Sequence, residues 1–517
     1  MATVEWRTRN TIEQEPPSPK ESGSLVSEEY VVKAMPGILG KFDMLAIYLL
    51  IIFYITNTNT AVLGGAAAFT FLALGGLTFF IPSVIATAQL GVMFPHEGSL
   101  YNWTHRAFGG YWSFFVAFCA WFPGVLVMIT ASSVIVAFIQ GLHGGTWLTA
   151  AWQQGVVIIM IILASGVIAV QRFRTVQNTI NMTAILIFVA VFLIGLASVV
   201  WLLKGNPSQT DFSLVNWRIN WDFNTGNISL FGLVTLAYLG MEAPLNMGGE
   251  IASSGLGEGR KRKIITGHLL WGTILVFIGY FIATFTLLVV EGITNGSASP
   301  FALVTAVNTT LGNVPGFFVT VCLLSFFLMS AVTYNTAYAR LLLVAGIDQR
   351  LPVRIARLNK NRVPAAAIIF QTIVASVITA IMYFGVPYVT NLGKPENLSV
   401  QIYDIMLAAA TLVWAFSTLF LFINLVKFYL RDPKTFKLQR IFPMPVLWIS
   451  IVLGSASCIT AFVGTLAFSW NSTLIPNANW WYIIGGLTVM CLIVAAIGSM
   501  VASSEAAWEG FNKGERT

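Results

Sequence analysis

Apolar residues run along this chain in long blocks separated by short polar segments. A helix needs roughly 20 consecutive apolar residues to cross a bilayer. On that ruler the sequence predicts twelve spans. The first six lie at about 43–63, 70–93, 112–140, 155–171, 177–203 and 228–249. The last six lie at about 264–290, 316–345, 365–387, 402–426, 446–469 and 479–501. Only Gly64-Gly65 and a few alanines divide the first two. Two spans are interrupted by polar residues. The first carries Thr56-Asn57-Thr58-Asn59-Thr60, and the sixth carries Gly240-Met241-Glu242-Ala243-Pro244. Pro244 has no N–H, and its ring collides with the preceding turn. A carboxylate at bilayer depth is costly and normally faces a cavity. Both spans are therefore predicted to be broken helices lining a polar site.

Spans one and six head two five-span units, 1–5 and 6–10. Five is odd, so the second unit enters from the opposite side. The fold class expected is an all-α polytopic membrane protein with a five-plus-five inverted repeat. Corresponding interruptions in the two halves are the best sequence pointer to a transporter binding site. The domain reading follows: a head over 1–41, a first repeat over 42–203, and an external loop with the second repeat over 204–427. Two further spans occupy 428–501, and a short tail occupies 502–517. The head is polar and proline-bearing, and most of it is expected to be disordered. Its last part, Val31 to Lys41, is expected to form a short helix along the membrane surface.

Composition agrees with this picture. Hydrophobic residues make up 56% and charged residues 9%, against about 25% charged in soluble domains. The net charge of +7 is then a topology signal and not a nucleic-acid signal. With the N-terminus inside, 24 of the 28 Lys and Arg fall in cytoplasmic loops and tails, and three (Lys204, Arg218, Lys394) fall outside. This bias places both termini in the cytoplasm of a cell-membrane protein. Arg340 lies inside a span and is expected to snorkel to the interface; His268 and Asp404 are expected to be interfacial as well. The first apolar run, from about Met44, is read as a span and not as a removable leader. Four cysteines (Cys119, Cys322, Cys458, Cys491) sit in apolar runs without metal-ligand spacing, so no metal and no cofactor are expected.

A broken span leaves two half-helix ends at mid-membrane. One exposes free N–H groups and a partial positive charge, and the other exposes free carbonyls. An amino acid zwitterion matches both. The binding residues expected are Thr56, Asn57, Thr58, Asn59 and Thr60 with Tyr238, Leu239 and Gly240. The bland alternative is that the Thr and Asn side chains only bond to the preceding turn. Glu242 is a candidate proton carrier, since burial raises a carboxyl pKa, and Pro244 is a candidate hinge. The alternative for Glu242 is a structural carboxyl. Trp121, Tyr334 and Trp414 are candidate gates or pocket walls, or simple packing.

Several segments resemble the amino acid–polyamine–organocation superfamily. They are Leu74-Gly75-Gly76, Ala88-Gln89-Leu90-Gly91, Phe94-Pro95-His96-Glu97-Gly98-Ser99, Tyr238-Leu239-Gly240-Met241-Glu242-Ala243 and Asn359-Lys360-Asn361-Arg362-Val363-Pro364. The spacing is most similar to the bacterial glutamate/γ-aminobutyrate antiporter branch. The resemblance implies alternating access and transport of amino acids or amines by exchange or proton coupling. It implies that Glu242 is the family's span-six acid and that Leu239 and Gly240 face substrate. It also implies that Tyr334 is the span-eight aromatic that packs on substrate, and that Trp121 lies near a span-three gate. The family's Gly-Ser-Gly break in span one is replaced here by Thr56 to Thr60, Gln89 replaces a usual Glu, and span five has no lysine.

The partners expected are an amino acid, with a counter-amino acid or proton, and the lipid bilayer. The alternatives are a polyamine or amine transporter of the same fold, a channel, or a membrane-embedded enzyme. The enzyme reading lacks a His, Asp, Ser or metal constellation at bilayer depth, and no selectivity filter supports the channel.

Overall fold

The protein is described by a computed structural model covering residues 25–220, 229–252, 258–389, 395–470 and 475–514. Among these residues every regular element is a helix, apart from one parallel bridge between Leu39 and Ile251. Ten helices are long and apolar enough to cross a membrane. They are Ala67–Met93, Gly110–Leu142, Ala151–Ala169, Phe173–Leu203, Gly259–Ser297, Asn313–Ile347, Ala365–Gly385, Asp404–Arg431, Met444–Ala467 and Asn477–Ser503. These are spans two to five and seven to twelve of the sequence reading. Span one is a broken pair, Lys41–Ile52 and Asn57–Gly64, bent by 44°. Span six consists of Ser229–Leu236 and a 3-10 segment Ala243–Glu250, each too short to cross alone. All twelve predicted spans therefore have a helical counterpart, and the two predicted breaks are present.

The two halves share more than their broken helices. Span two contains a π-helical turn at Gly76–Phe80, and its counterpart span seven contains one at Leu287–Glu291. A ten-residue helix follows each: Ser99–Phe108 and Ala302–Leu311. Each ends on a glycine of positive φ, Gly109 at 86° and Gly312 at 95°. Both glycines lead directly into a long helix, spans three and eight. An L-residue pays for such a φ, whereas glycine does not. The short helices lie at opposite ends of the bundle. Arg106 of the first reaches the head helix through Glu28, while Thr310 of the second accepts from Lys204 at the other end of span five. This is the inverted arrangement that the odd count of five requires.

Spans three, eight and ten form the interior. Spans four, five, nine, eleven and twelve turn apolar faces outward, with Phe192, Ile373, Val452 and Val489 exposed, as a lipid-facing surface requires.

Four placements differ from the sequence reading. The head helix forms at Val26–Ala34, and the stretch expected to be helical, 31–41, is helical only at its start before span one begins at Lys41. It packs Val31 and Met35 onto Leu343, Ile347 and Ala356. Ser27 donates from N and Oγ to Asp348, at 3.0 and 2.9 Å. The head before residue 25 lies outside the described residues. Arg340 does not snorkel; it is 0% exposed and ion-paired with Glu250. His268 is buried with Nδ1 against the Ile264 carbonyl. Asp404 is buried too. For Arg340, the partner comes from span six, which a single span read alone does not show.

Candidate functional site

Residues 41–52 are apolar almost throughout, and this helix runs to Ile52 before the chain leaves helical geometry at Phe53. The last carbonyls of a helix have no intrahelical donor. Here three side-chain hydroxyls supply donors. Ser330 donates to Leu50 O at 2.6 Å, Tyr334 to Ile51 O at 2.6 Å, and Tyr280 to Ile52 O at 3.0 Å. Two come from span eight and one from span seven, and the backbone adds Phe53 N on Leu49 O and Tyr54 N on Ile52 O, at 3.0 and 2.8 Å.

Span six breaks at Gly240, whose φ is +100°. Ala243 N closes a turn onto Gly240 O at 3.0 Å. Glu242 then precedes the 3-10 segment, and Pro244 occupies its start, where a missing N–H costs nothing. The Trp414 ring lies directly on this turn. A Cβ on Gly240 would stand 2.9 Å from two of its ring atoms and 3.2 Å from Ile51 Cγ2. Trp414 Nε1 donates to Glu242 Oε1 at 2.8 Å. Tyr334 and Tyr338 stack on each other at 5.6 Å, and each meets Trp414 edge-on, at 6.3 and 5.8 Å. Glu242, Trp414 and Tyr334 thus form one buried group against the break.

Tyr280 was not singled out in the sequence, yet it joins the two breaks. Its hydroxyl accepts from Tyr54 N at 3.0 Å and lies 3.3 Å from Ala237 O of span six. Asn57 Nδ2 reaches the same oxygen at 3.4 Å. The only available signal was a hydroxyl in the middle of the apolar run of span seven. With Asn57, Thr58, Ala61, Ala237 and Thr284, Tyr280 lines a small pocket on the far side of the break from the head helix.

The Thr-Asn run has mixed roles. Thr58 Oγ1 bonds to Ile55 O within its own turn, as the bland alternative expects. Asn59 Nδ2 reaches across to Gly296 O and Ser299 O, at 2.8 and 2.9 Å, which ties span one to the end of span seven. Thr60 is half-buried beside them. Thr56 Oγ1, Asn59 Oδ1, Glu242 Oε2 and Tyr338 Oη are buried without a hydrogen-bond partner. Such orphans are rare and call for a water or a ligand.

Two expected residues turn elsewhere. The Tyr238 ring stacks on Phe80 at 4.6 Å and its hydroxyl donates to Leu72 O, so its side chain packs into span two. Only its backbone and that of Leu239 belong to the break. Trp121 donates to Gln371 Oε1 at 2.9 Å and stacks on Phe370 of span nine. The span-three group that touches the break is Thr130, which accepts from the Tyr54 hydroxyl at 3.2 Å.

The amino acid permease family matches this chain over residues 42–489, from the start of span one to within span twelve. The chain belongs to the amino acid permease family. The chain is similar to the inner membrane transporter YjeM of Escherichia coli, 23% identical over 90% of this chain and 97% of the relative. An uncharacterized transporter of Legionella pneumophila is 24% identical over 68% of this chain and 75% of its own length. The YjeM transporter of Salmonella typhimurium is 23% identical over 72% and 81%. These names say transporter and do not name a substrate, and the match does not single out the glutamate/γ-aminobutyrate branch.

Proposed function

We propose that this multi-pass transporter moves amino acids across the cell membrane by alternating access, as an exchanger or a proton-coupled permease. In this reading the basic end of the bundle, with the head helix and both termini, faces the cytoplasm. The observation that carries the reading is the set of three hydroxyls on the terminal carbonyls of Leu50, Ile51 and Ile52. Those carbonyls are the negative end of a helix dipole, where an ammonium is favoured. Hydroxyls on other spans fill the places that an ammonium would take, and can yield them. The Trp414 ring covers Gly240, so substrate entry requires that ring to swing aside. That motion would break its bond to Glu242 and link binding to the state of the carboxyl. Thr56, lacking a partner at Oγ1, and the backbone of Leu239 and Gly240 would face the substrate carboxylate.

The test is uptake of radiolabelled amino acids into proteoliposomes loaded with counter-substrate or held under a proton gradient. Saturable uptake that depends on either driving force supports the reading. Uptake of polyamines alone would transfer the site to organic amines, and no uptake of any amino acid or amine would end the proposal.

A further inference from the structure

A second buried charged cluster lies at the head end, away from Glu242. Arg340 of span eight is fully buried, with Nε 2.9 Å from Glu250 Oε1 and 3.9 Å from Glu97 Oε1. Its Nη1 donates to Thr336 O at 2.9 Å, and its guanidinium lies 4.9 Å from the centre of the Phe173 ring. Glu97 Oε2 accepts from Gly249 N at 2.9 Å, but Glu97 Oε1 has no hydrogen-bond partner. Glu97 is 2% exposed and Glu250 1%. Two buried carboxylates thus share one guanidinium nitrogen. Two like charges at one dry site do not both ionise readily.

Building on the alternating-access reading, we infer that Glu97, facing Glu250, binds one proton whenever the cytoplasmic mouth is shut. The proton sits on the orphaned Glu97 Oε1, which donates it toward Glu250. Three separate elements meet here: the loop after span two, the end of span six, and span eight. The head helix covers them. Val31 Cγ1 would stand 3.0 Å from a Cβ on Gly249, and Leu39 N donates to Glu250 O at 3.0 Å. When the mouth opens, these elements part, water reaches both carboxylates, and the proton leaves to the cytoplasm.

Burial and the Glu250 carboxyl push Glu97 well above the usual carboxylate range, against the opposing pull of Arg340 and Gly249 N–H. The sign follows by linkage. Closure takes up one proton between the open-state pKa and the raised closed-state value. The closed form therefore gains tenfold over the open form for each unit of falling pH in that window.

Other charged groups border the cluster. Lys261 of span seven donates to the Pro95 carbonyl. His96 lies 3.8 Å from Glu28, which pairs with Arg106. Burial holds His96 below its usual range and His105 down at about 4. Asp348 beneath the head helix is pushed up to about 6 by burial. A window from about pH 6.5 to 8.5 stands above these three groups.

The experiment uses purified full-length protein in detergent, which needs neither substrate nor sidedness. Val31→Cys reports the buried face of the head helix and Val32→Cys, 64% exposed, reports thiol chemistry alone. The four native cysteines are buried. The ratio of maleimide labelling, position 31 over position 32, is read across the window. The expected result is a fall of up to tenfold per pH unit on acidification. Glu97→Gln and, separately, Glu250→Gln each leave one carboxylate per guanidinium, and each should give a flat, low ratio. A flat wild-type profile overturns the inference, as does a slope that survives in either variant. A sloped wild type that both variants flatten, in a protein that carries no amino acid, would retire the transport reading and leave the proton site standing.

Discussion

Gly240→Ala tests the central contact of the site. Gly240 has a φ of +100°, a region that costs an L-residue about 1–3 kcal/mol. The new methyl would also stand 2.9 Å from two Trp414 ring atoms, closer than carbon atoms pack. The ring must move, and moving it breaks the 2.8 Å bond from Trp414 Nε1 to Glu242 Oε1. A buried hydrogen bond to a carboxylate contributes about 1.5–3 kcal/mol. The single substitution should therefore destabilise by about 2.5–6 kcal/mol. Trp414→Phe removes both the clashing atoms and the indole N–H. In that background Gly240→Ala should cost only the backbone strain. The predicted coupling between the two positions is about 1.5–3 kcal/mol, read by a double-mutant cycle on denaturant unfolding in micelles. Additivity to within about 0.5 kcal/mol would refute the contact and the gate built on it.

Three further outcomes are expected. Glu242→Gln should abolish pH-dependent net uptake and retain homo-exchange in proteoliposomes; an unchanged pH profile would leave Glu242 a structural carboxyl. Arg340→Met leaves Glu97 and Glu250 buried without their cation and should destabilise by about 3–5 kcal/mol, seen as lost thermal stability in detergent, with partial rescue by Glu250→Gln. Tyr280→Phe keeps the ring contacts to Phe53 and Tyr238 but removes the hydroxyl shared by both breaks. It should cost about 1–3 kcal/mol and slow exchange more than it weakens substrate binding, measured as turnover against half-saturating concentration.

The spans were legible because run length alone marks a membrane helix, and the breaks because Gly240, Glu242 and Pro244 contradict their surroundings. The contacts across the site were not legible. Trp414 meets Glu242 across 172 positions, and Tyr280 reaches Tyr54 across 226. No local pattern encodes either distance. Arg340 misled for the same reason. Near the end of an apolar run an arginine usually reaches for water, but its partner Glu250 lies 90 positions earlier. Tyr238 was expected to bind substrate; its backbone lies at the break, while its ring follows Phe80 into span two.

The glycine joints at Gly109 and Gly312 sit at opposite ends of the bundle, and each is open, with nothing within 4 Å of an added Cβ. A methyl group there would meet no neighbour, and its whole cost would be the strain of holding an L-residue at a φ of 86° or 95°. Under the proposed alternating access, straining one joint would handicap one face of the cycle, and straining the other its mirror. The pair would then act as two opposed adjustments on a single resting bias. A change at one joint would then be offset by a change at the other, at positions remote from Gly240 and Glu242.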